Sequence, residues 1–380
     1  MSKLDELRKQ IDAIDDQIVE LYLKRMDAVK GVAEAKTDIN KAVNDTEREN
    51  AVVYRLSRDL PDNMKLYVKE LYTAIFNTSK SYQSTLMNGS SETVCKLEEL
   101  LKHPRATLPV SAAVACQGVK GANSGAVAKK LFPISDITYC KSFEGVFAAV
   151  EKGLCEFGVL PIENSTAGSV SEVYDLMKKH NFYIVRSARV QIEHCLVAKQ
   201  GASLKGIKKV ISHPQALSQC AAYLKKLGVE IEAAESTATA AKIVAEGSDS
   251  TLAALCSADC SQVYGLKILE KSVQDSAVNY TRFICIAKNL TIYKDADRIS
   301  IMMSISHNPG SLNSILGKFS ALGLNLAKIE SRPIPNSEFE FMFYFDFEGD
   351  VADKQVRNLI AELENGSDKF IFLGVYKELI

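Results

Sequence analysis

Asn279, Thr281 and Arg282 stand at the mouth of an apolar run, Phe283 to Ala287, that reads as a buried strand. Donors in such a place cost free energy unless something pairs with them. The partner is either another side chain or an anionic small molecule. Three further polar motifs share the setting: "PIENSTAGSV" (161–170), "SHPQALSQC" (212–220) and "ESTATAA" (235–241) each follow an expected strand and precede an expected helix. In open α/β sheets, ligands bind beyond the carboxyl ends of strands. Small hydroxyl residues there cap the helix and can offer its N–H groups to an anion. Capping alone accounts for any one of these motifs; the four together point to a binding cleft.

A second set lies in the first 87 residues. Leu4, Leu7, Ile11, Ile14, Ile18 and Leu21 recur at steps of three and four, the stripe of an amphipathic helix. Its continuation meets Arg25, Ala28, Val32 and Lys36, so that two cations fall where apolar side chains are due, with Arg8 near the same stripe. Snorkelling or a salt bridge explains one such cation; two leave a ligand-binding reading open beside it. Asp45, Arg48 and Glu49 open another helix, and Ser79 and Gln83, at i and i+4, point the same way. The pooled residues include no histidine or cysteine nucleophile. They suit a small dianion whose reaction needs charge stabilisation and a held conformation, not covalent chemistry.

The elements that must position these residues fall into three segments. Residues 1–87 read as all-helical, with Pro61 the single proline and Gly31 the single glycine. A helix from residue 3 to about 40 would be roughly 55 Å long, too long for so short a segment to cover, so a dimer built on it is expected. Residues 88–107 read as a linker holding a short helix, Glu92 to Leu101. From 108 to 288 strands alternate with helices, including a helix over 214–228, which implies α/β layers in one domain or in two lobes around a cleft. Residues 297–380 give the order βαββαβ, a ferredoxin-like split unit.

Composition excludes several classes. With 46 Lys+Arg against 47 Asp+Glu, the chain lacks the basic excess of a nucleic-acid binder. No apolar run is long enough to span a bilayer, and the first residues are charged from Lys3. The nine cysteines are scattered without a Cys-x-x-Cys, which suits reduced thiols and a cytoplasmic location better than a disulfide scaffold or zinc site. No metal constellation and no nucleotide loop is present in the sequence, so no cofactor is expected.

The first segment resembles the AroQ-type chorismate mutase domain through "LDELRKQIDAIDDQIVELYLKRMDAVKGVAEAKTD", "DTERE" and "SKSYQ". That family rearranges chorismate to prephenate. The resemblance implies that Arg8 of one subunit and Arg25 of the other hold the two carboxylates, that Lys36 and Gln83 donate to the ether oxygen, that Arg48 and Ser79 assist carboxylate binding, and that Asp45 and Glu49 hold the ring hydroxyl. The middle segment is similar to prephenate dehydratase through "PIENSTAG", "SHPQAL", "ESTATAA" and "NYTRF", and so to a two-lobed, periplasmic-binding-protein-like fold. This implies that Thr281 assists departure of the ring hydroxyl, that Arg282 braces the site or binds a carboxylate, and that Glu163, Asn164, Ser165, Thr166, Ser212, Gln219, Ser236 and Thr237 line the pocket. One loop departs from the family: Cys116 and Asn123 stand where it has aromatic residues, while Gly118, Gly121 and Ser124 remain.

The third segment resembles an ACT domain through "NPGSLNSILGKF" and "IESRPIP", which implies an amino-acid effector held by Gly310, Ser311, Leu312, Asn325, Glu330, Ser331, Arg332 and Pro333. Together the segments resemble the bifunctional chorismate mutase/prephenate dehydratases of phenylalanine biosynthesis. The expected substrates are chorismate and prephenate, the expected effector L-phenylalanine, and the expected assembly a homodimer or higher oligomer. A chain ending near Lys288 is expected to keep dehydratase chemistry. The rival class is a non-enzymatic sensor on the same three modules, which would have no need of Arg8, Arg25, Lys36 and Thr281.

Overall fold

The computed structural model describes residues 2–38, 45–87, 91–103, 107–276, 278–334 and 341–380. The chain forms two units: Met1–Glu99 with Met303–Phe345 and Val351–Phe370, and Leu100–Met302 with Asp346–Asp350 and Ile371–Ile380.

The first unit begins with α1 (Lys3–Asp38), α2 (Thr46–Ser57) and α3 (Asp62–Met87), followed by α4 (Glu92–Lys102). Ser2 and Asp5 start α1 reciprocally: the Asp5 N–H donates to Ser2 Oγ (3.3 Å) and the Ser2 N–H to Asp5 Oδ2 (3.0 Å). The helix ends at Asp38, and residues 39–44, the tail of the expected element, lie outside the described residues. Its apolar stripe is open within this chain: Leu4, Leu7, Ile11, Ile14, Ile18 and Leu21 are 47–65% exposed.

The second unit runs β1 (Ser111–Gln117), α5 (Asn123–Leu131), β2 (Ile134–Cys140), α6 (Phe143–Glu151), β3 (Phe157–Asn164), β4 (Gly168–Ser169), α7 (Ser171–Lys179), β5 (Tyr183–Gln191), β6 (Cys195–Ala198), β7 (Lys209–Ser212), α8 (Pro214–Gln219), α9 (Ala221–Leu227), β8 (Glu230–Ala233), α10 (Thr237–Glu246), β9 (Leu252–Cys256), α11 (Ala258–Val263), β10 (Lys267–Glu270) and β11 (Tyr280–Ala287). These strands build two sheets, one with the order β5–β11–β3–β1–β2 and one with β10–β6–β9–β7–β8. The chain passes from the first to the second after β5 and returns before β11, which makes two lobes. Each lobe has its own core: Val114, Val127, Phe132, Val159 and Cys285 in the first, Val197, Ile211, Ala240 and Ala254 in the second.

The C-terminal elements are β12 (Arg298–Ile305), α12 (Ser311–Ala321), β13 (Leu326–Pro333), β14 (Phe341–Glu348), α13 (Lys354–Asn365) and β15 (Phe370–Leu379), with strand order β13–β14–β12–β15. The expected strand over 338–349 is observed from Phe341; 338–340 lie outside the described residues. β15 pairs in parallel with β5 from Lys377↔Arg186 to Leu379↔Ala188. Among the described residues no helix is long and apolar enough to cross a membrane, and all nine cysteines are free.

Two expectations are corrected. The helix over 214–228 is two helices, because Cys220 leaves helical geometry at φ −117°, ψ 21°. The strands β5, β6 and β10 are found in addition to the alternation expected; β5 carries Arg186 and Arg189 within its apolar run, and their charges are met by Asp295 (2.8 Å) and Glu378 (2.9 Å).

Candidate functional site

β11 lies between β3 and β5, with Thr281 opposite Asn164 on one side and Val190 on the other. The β3 pairing shifts register between Arg282 and Phe283, a bulge one residue from Thr281. The extra residue is Ile162 on β3, and a bulge bends the strand that carries it, here next to Asn164. Here Asn164 Nδ2 donates to Thr281 Oγ1 (2.9 Å) and to Asn279 Oδ1 (2.9 Å). Its other end, Oδ1, accepts from the Thr166 N–H (3.0 Å), the Thr166 hydroxyl (2.7 Å), the Ala167 N–H (2.9 Å) and Gln215 Nε2 (3.3 Å). Those donors fix which way the amide faces. Thr281 Oγ1 therefore accepts, and its own proton is left to donate; among the described residues no acceptor for it is found.

The second lobe joins this cluster through α8. Gln219 Nε2 donates to Thr166 Oγ1 (2.7 Å), while Gln219 Oε1 accepts from Asn279 Nδ2 (3.0 Å) and meets His194 Nε2 (2.9 Å). Because that oxygen only accepts, Nε2 of His194 carries the hydrogen. Burial holds His194 below the ordinary histidine range, opposed by the Gln219 bond, so the ring is neutral at neutral pH. His194 and Gln215 are not singled out by the sequence, and Asn279, noted there as a donor at the strand mouth, is given no role. Gln215 and Gln219 at i and i+4 were a usable signal; a lone histidine was none.

Several assignments are corrected. Arg282 follows Thr281 and so projects from the opposite face of the sheet, where it meets Asp346 (2.5 Å) and Glu378 (2.7 Å) and donates to the Tyr376 hydroxyl (2.9 Å). Its guanidinium is taken up by these partners on the face away from Thr281. Glu163 pairs with Arg282 across the ladder and shares that face, away from Thr281. Ser212 is fully buried and its hydroxyl donates to Leu255 O (2.8 Å), tying β7 to β9 instead of lining the cleft. Ser165 Oγ accepts from the Tyr280 N–H (2.9 Å) at the rim of the cluster. Ser236 caps α10 by accepting from the Thr239 N–H (3.0 Å); no hydrogen bond joins it or Thr237 to the Asn164 cluster among the described residues.

The loop that departs from the family crosses the cleft. Tyr264 of the second lobe donates to Lys120 O (2.7 Å), and Gly121, at φ +92°, lies so close that a Cβ would come within 2.9 Å of Cys260 Sγ. Cys116 faces the first-lobe core, its thiol pushed up to about 12 by burial. Asn123 opens α5.

In the helical unit Arg25 Nη1 makes a short hydrogen bond to Ser79 Oγ and lies over the Phe76 ring at 5.9 Å. Ser79 in turn donates to Ile75 O (2.6 Å). Gln83 is buried beside them, with a long bond from Nε2 to Ser79 O (3.4 Å) and, among the described residues, no hydrogen-bond partner for Oε1. Glu49 is paired with Lys80 (3.1 Å), which sequence reasoning did not single out, and Asp45 caps α2 through the Arg48 N–H (3.1 Å). Lys36 is half-buried and the Arg48 and Arg8 side chains are exposed. Arg8 is seventeen residues from Arg25 on one helix, about 25 Å at the helical rise, so the two cannot close on one small ligand within this chain.

Of the effector set, Gly310, at φ +86°, caps α12 ahead of Ser311 and Leu312. Glu330, Ser331, Arg332 and Pro333 end β13, which is the edge strand, and Asn325 is the exposed residue just before it.

The chain matches the prephenate dehydratase family over residues 114–291 and the type II chorismate mutase family over residues 7–84. It is 31% identical to the bifunctional chorismate mutase/prephenate dehydratase of Aquifex aeolicus, over 100% of this chain and 99% of that one. It is 39% identical to arogenate dehydratase/prephenate dehydratase 2 of Arabidopsis thaliana, over 69% of this chain and 72% of the relative. The structure of a prephenate dehydratase from Arthrobacter aurescens in complex with L-Phe superposes with a TM-score of 0.64 at 27% identity, covering 70% of this chain and 89% of that one.

His194 generates a prediction. Its folded pKa is lowered from 6.5, so as pH falls through that value the unfolded chain takes up a proton that the folded one refuses, and stability is lost on the acid side. Replacing His194 by Gln should flatten the fall in melting temperature below pH 6.5; an unchanged slope in thermal scans would show that the ring does not titrate in this way.

Proposed function

The chain belongs to the family of bifunctional chorismate mutase/prephenate dehydratases, and we propose that it carries out both reactions, chorismate to prephenate and prephenate to phenylpyruvate, under feedback by L-phenylalanine. The proposed domains are a mutase over 1–87, a linker over 88–107, a dehydratase over 108–288 and an ACT domain over 297–380.

The observation that carries the dehydratase reading is the bond from Asn164 to Thr281, which leaves the Thr281 hydroxyl a donor at the cleft. Prephenate must shed its ring hydroxyl and a carboxylate together: the bond to the carboxylate breaks as carbon dioxide leaves, its electrons aromatise the ring and expel the hydroxyl as hydroxide, which takes a proton from solvent to become water. Aromatisation supplies the driving force. Thr281 hydrogen-bonds the departing oxygen, a role within reach of so weak an acid. Thr166 and Gln219, one from each lobe, hold the substrate between them, with Ser165 at the rim and the α10 N terminus at Ser236 and Thr237 as a seat for a carboxylate.

In the mutase, Arg25, steered by Ser79, holds one carboxylate, and Arg8 of a second copy the other, with Arg48 assisting. Lys36 and the under-bonded Gln83 amide donate to the ether oxygen as its bond breaks, and Asp45 and Glu49 hold the ring hydroxyl. The exposed α1 stripe supports a dimer, which would bring a second Arg8 to the site. The order βαββαβ with strand sequence β13–β14–β12–β15 supports a ferredoxin-like ACT domain whose edge strand β13 pairs between copies. The L-Phe complex of the Arthrobacter relative supports the effector.

Separate assays of chorismate loss and phenylpyruvate formation test this. Arg25→Ala should abolish the rearrangement while prephenate is still dehydrated; mutase activity surviving within about threefold would remove Arg25 from the site. Thr281→Val keeps the shape and removes the hydroxyl, and should lower dehydratase kcat by about 10²-fold or more with mutase untouched. A rate near wild type would return Thr281 to a plain strand residue. Calorimetry should detect L-phenylalanine binding to the chain and a loss of about tenfold in affinity in Gly310→Val, where a side chain meets nothing within 4 Å but strains a left-handed residue. Equal binding by both chains would place the effector elsewhere.

A further inference from the structure

The turn after β1, residues 118–122, has no aromatic side chain of its own, yet two tyrosines from outside it hold it: Tyr139 of β2 and Tyr264, the C-cap of α11. We propose that Tyr264 is a positioning residue for the substrate of the cleft. It fixes this turn between the two lobes, and so governs how well prephenate is bound, not how fast it reacts. The inference rests on the dehydratase reading of the Thr281 cleft.

All the residues concerned belong to the second unit. By its backbone the turn is part of the first lobe. The Gly118 N–H donates to Cys140 O (2.8 Å) and the Gly121 N–H to the Tyr139 hydroxyl. Tyr139 stands opposite Cys116 in the β1–β2 ladder. By its side chains the turn is part of the second lobe, where Val119 and Ala122 pack on the core that holds Val197, Ile211 and Ala254. Tyr264 borders the same core and donates to Lys120 O (2.7 Å). A Cβ on Gly121 would come within 2.9 Å of Cys260 Sγ and 3.4 Å of the Tyr264 ring, so the backbone itself is seated on the second lobe.

The topology says why this matters for the substrate. The turn leaves the carboxyl end of β1, which runs parallel to β3; Asn164 ends β3, and Thr281 faces it from β11. The turn and Thr281 therefore stand at one end of the sheet, two strand spacings or about 10 Å apart, within the span of one small ligand. In the second lobe α8 and α11 leave the carboxyl ends of β7 and β9, which are parallel. Lobes joined through Gln215 and Gln219 alone could still turn about that point; a second contact, on another strand, removes the freedom. Thr166 and Gln219 are proposed to hold the substrate between them, so lobes left free to turn must be ordered on binding, at a cost in affinity. Thr281 is oriented separately, by Asn164 within the first lobe, so its reactivity does not depend on the turn.

The test uses the full chain. Tyr264→Phe keeps the ring and removes the hydroxyl. The KM for prephenate should rise about fivefold, the scale of one net hydrogen bond, with kcat within about twofold of wild type. Chorismate rearrangement in the same samples should be unchanged, which serves as the folding control. Gly121→Ala, which sets a methyl group against Cys260 Sγ, should raise KM at least as far. A second readout needs no turnover: Cys260 is 1% exposed under the turn. Its alkylation by iodoacetamide, followed on the Cys260 peptide by mass spectrometry, should be about fivefold faster in both variants, as local opening becomes easier. If Gly121→Ala also loses mutase activity, Tyr264→Phe decides. A KM that falls or stays within about twofold of wild type overturns the proposal, even with faster labelling, as does a loss of kcat at constant KM, which would place Tyr264 in the reacting geometry. A wild-type chain inert toward prephenate sinks the functional reading and this inference with it; an active wild type with unaffected variants sinks this inference alone.

Discussion

Thr281 and Arg282 are neighbours on a strand with sheet on both sides, and the pleat sends them to opposite faces. That single constraint assigns one residue to the cleft and the other to the core. A guanidinium in the core needs its charge met: removing one partner of a buried pair costs about 3–5 kcal/mol, because an uncompensated charge stays behind. Asp346 and Glu378 meet it from strands that the chain reaches only after β11 is complete. Thus the apolar strand carrying the proposed hydroxyl donor is finished by residues from the far end of the chain.

On the cleft face the governing property is direction. Each amide has a donating and an accepting end, and the turn after β3 saturates the accepting end of Asn164 with backbone N–H groups. Its nitrogen is forced toward Thr281 and Asn279, and Gln219 is oriented in the same way by Asn279 and neutral His194. A hydrogen-bonded chain polarises along one direction, and here its end is a hydroxyl free to donate. The chain also spans both lobes, since Gln219 and Thr166 come from different sheets.

The helical unit shows the complementary condition, a surface and a site that one copy leaves incomplete. Six apolar side chains on α1 stand about half exposed, where covering the remainder of each would be worth roughly 1 kcal/mol, about half of the value for full burial. The same helix carries Arg8 and Arg25 too far apart to serve one ligand. The proposed dimer would answer both needs, and the Gln83 amide oxygen beside Arg25, without a hydrogen-bond partner among the described residues, is one that a small polar ligand would complete.

Periodicity and motif spacing were sufficient for much of this. The apolar steps on α1, the βαββαβ order of the C-terminal segment and the alternation between them depend on local repeats of 3.6 and 2, and the four strand-end motifs carried the family. The sequence by itself therefore determined most of the element types and the two families to which the segments belong. It does not show how the charges of Arg186 and Arg189 within β5 are met, because their partners are remote in the chain. Only the tertiary structure decided which face each residue takes and what it meets there: that Arg282 lies in an ion-pair core, that Ser212 is spent on a carbonyl of the next strand, and that His194 and Asn279 orient Gln219. Those outcomes depend on partners between 25 and 115 residues away in the chain, and a side chain's partner through space is not a function of its neighbours in sequence.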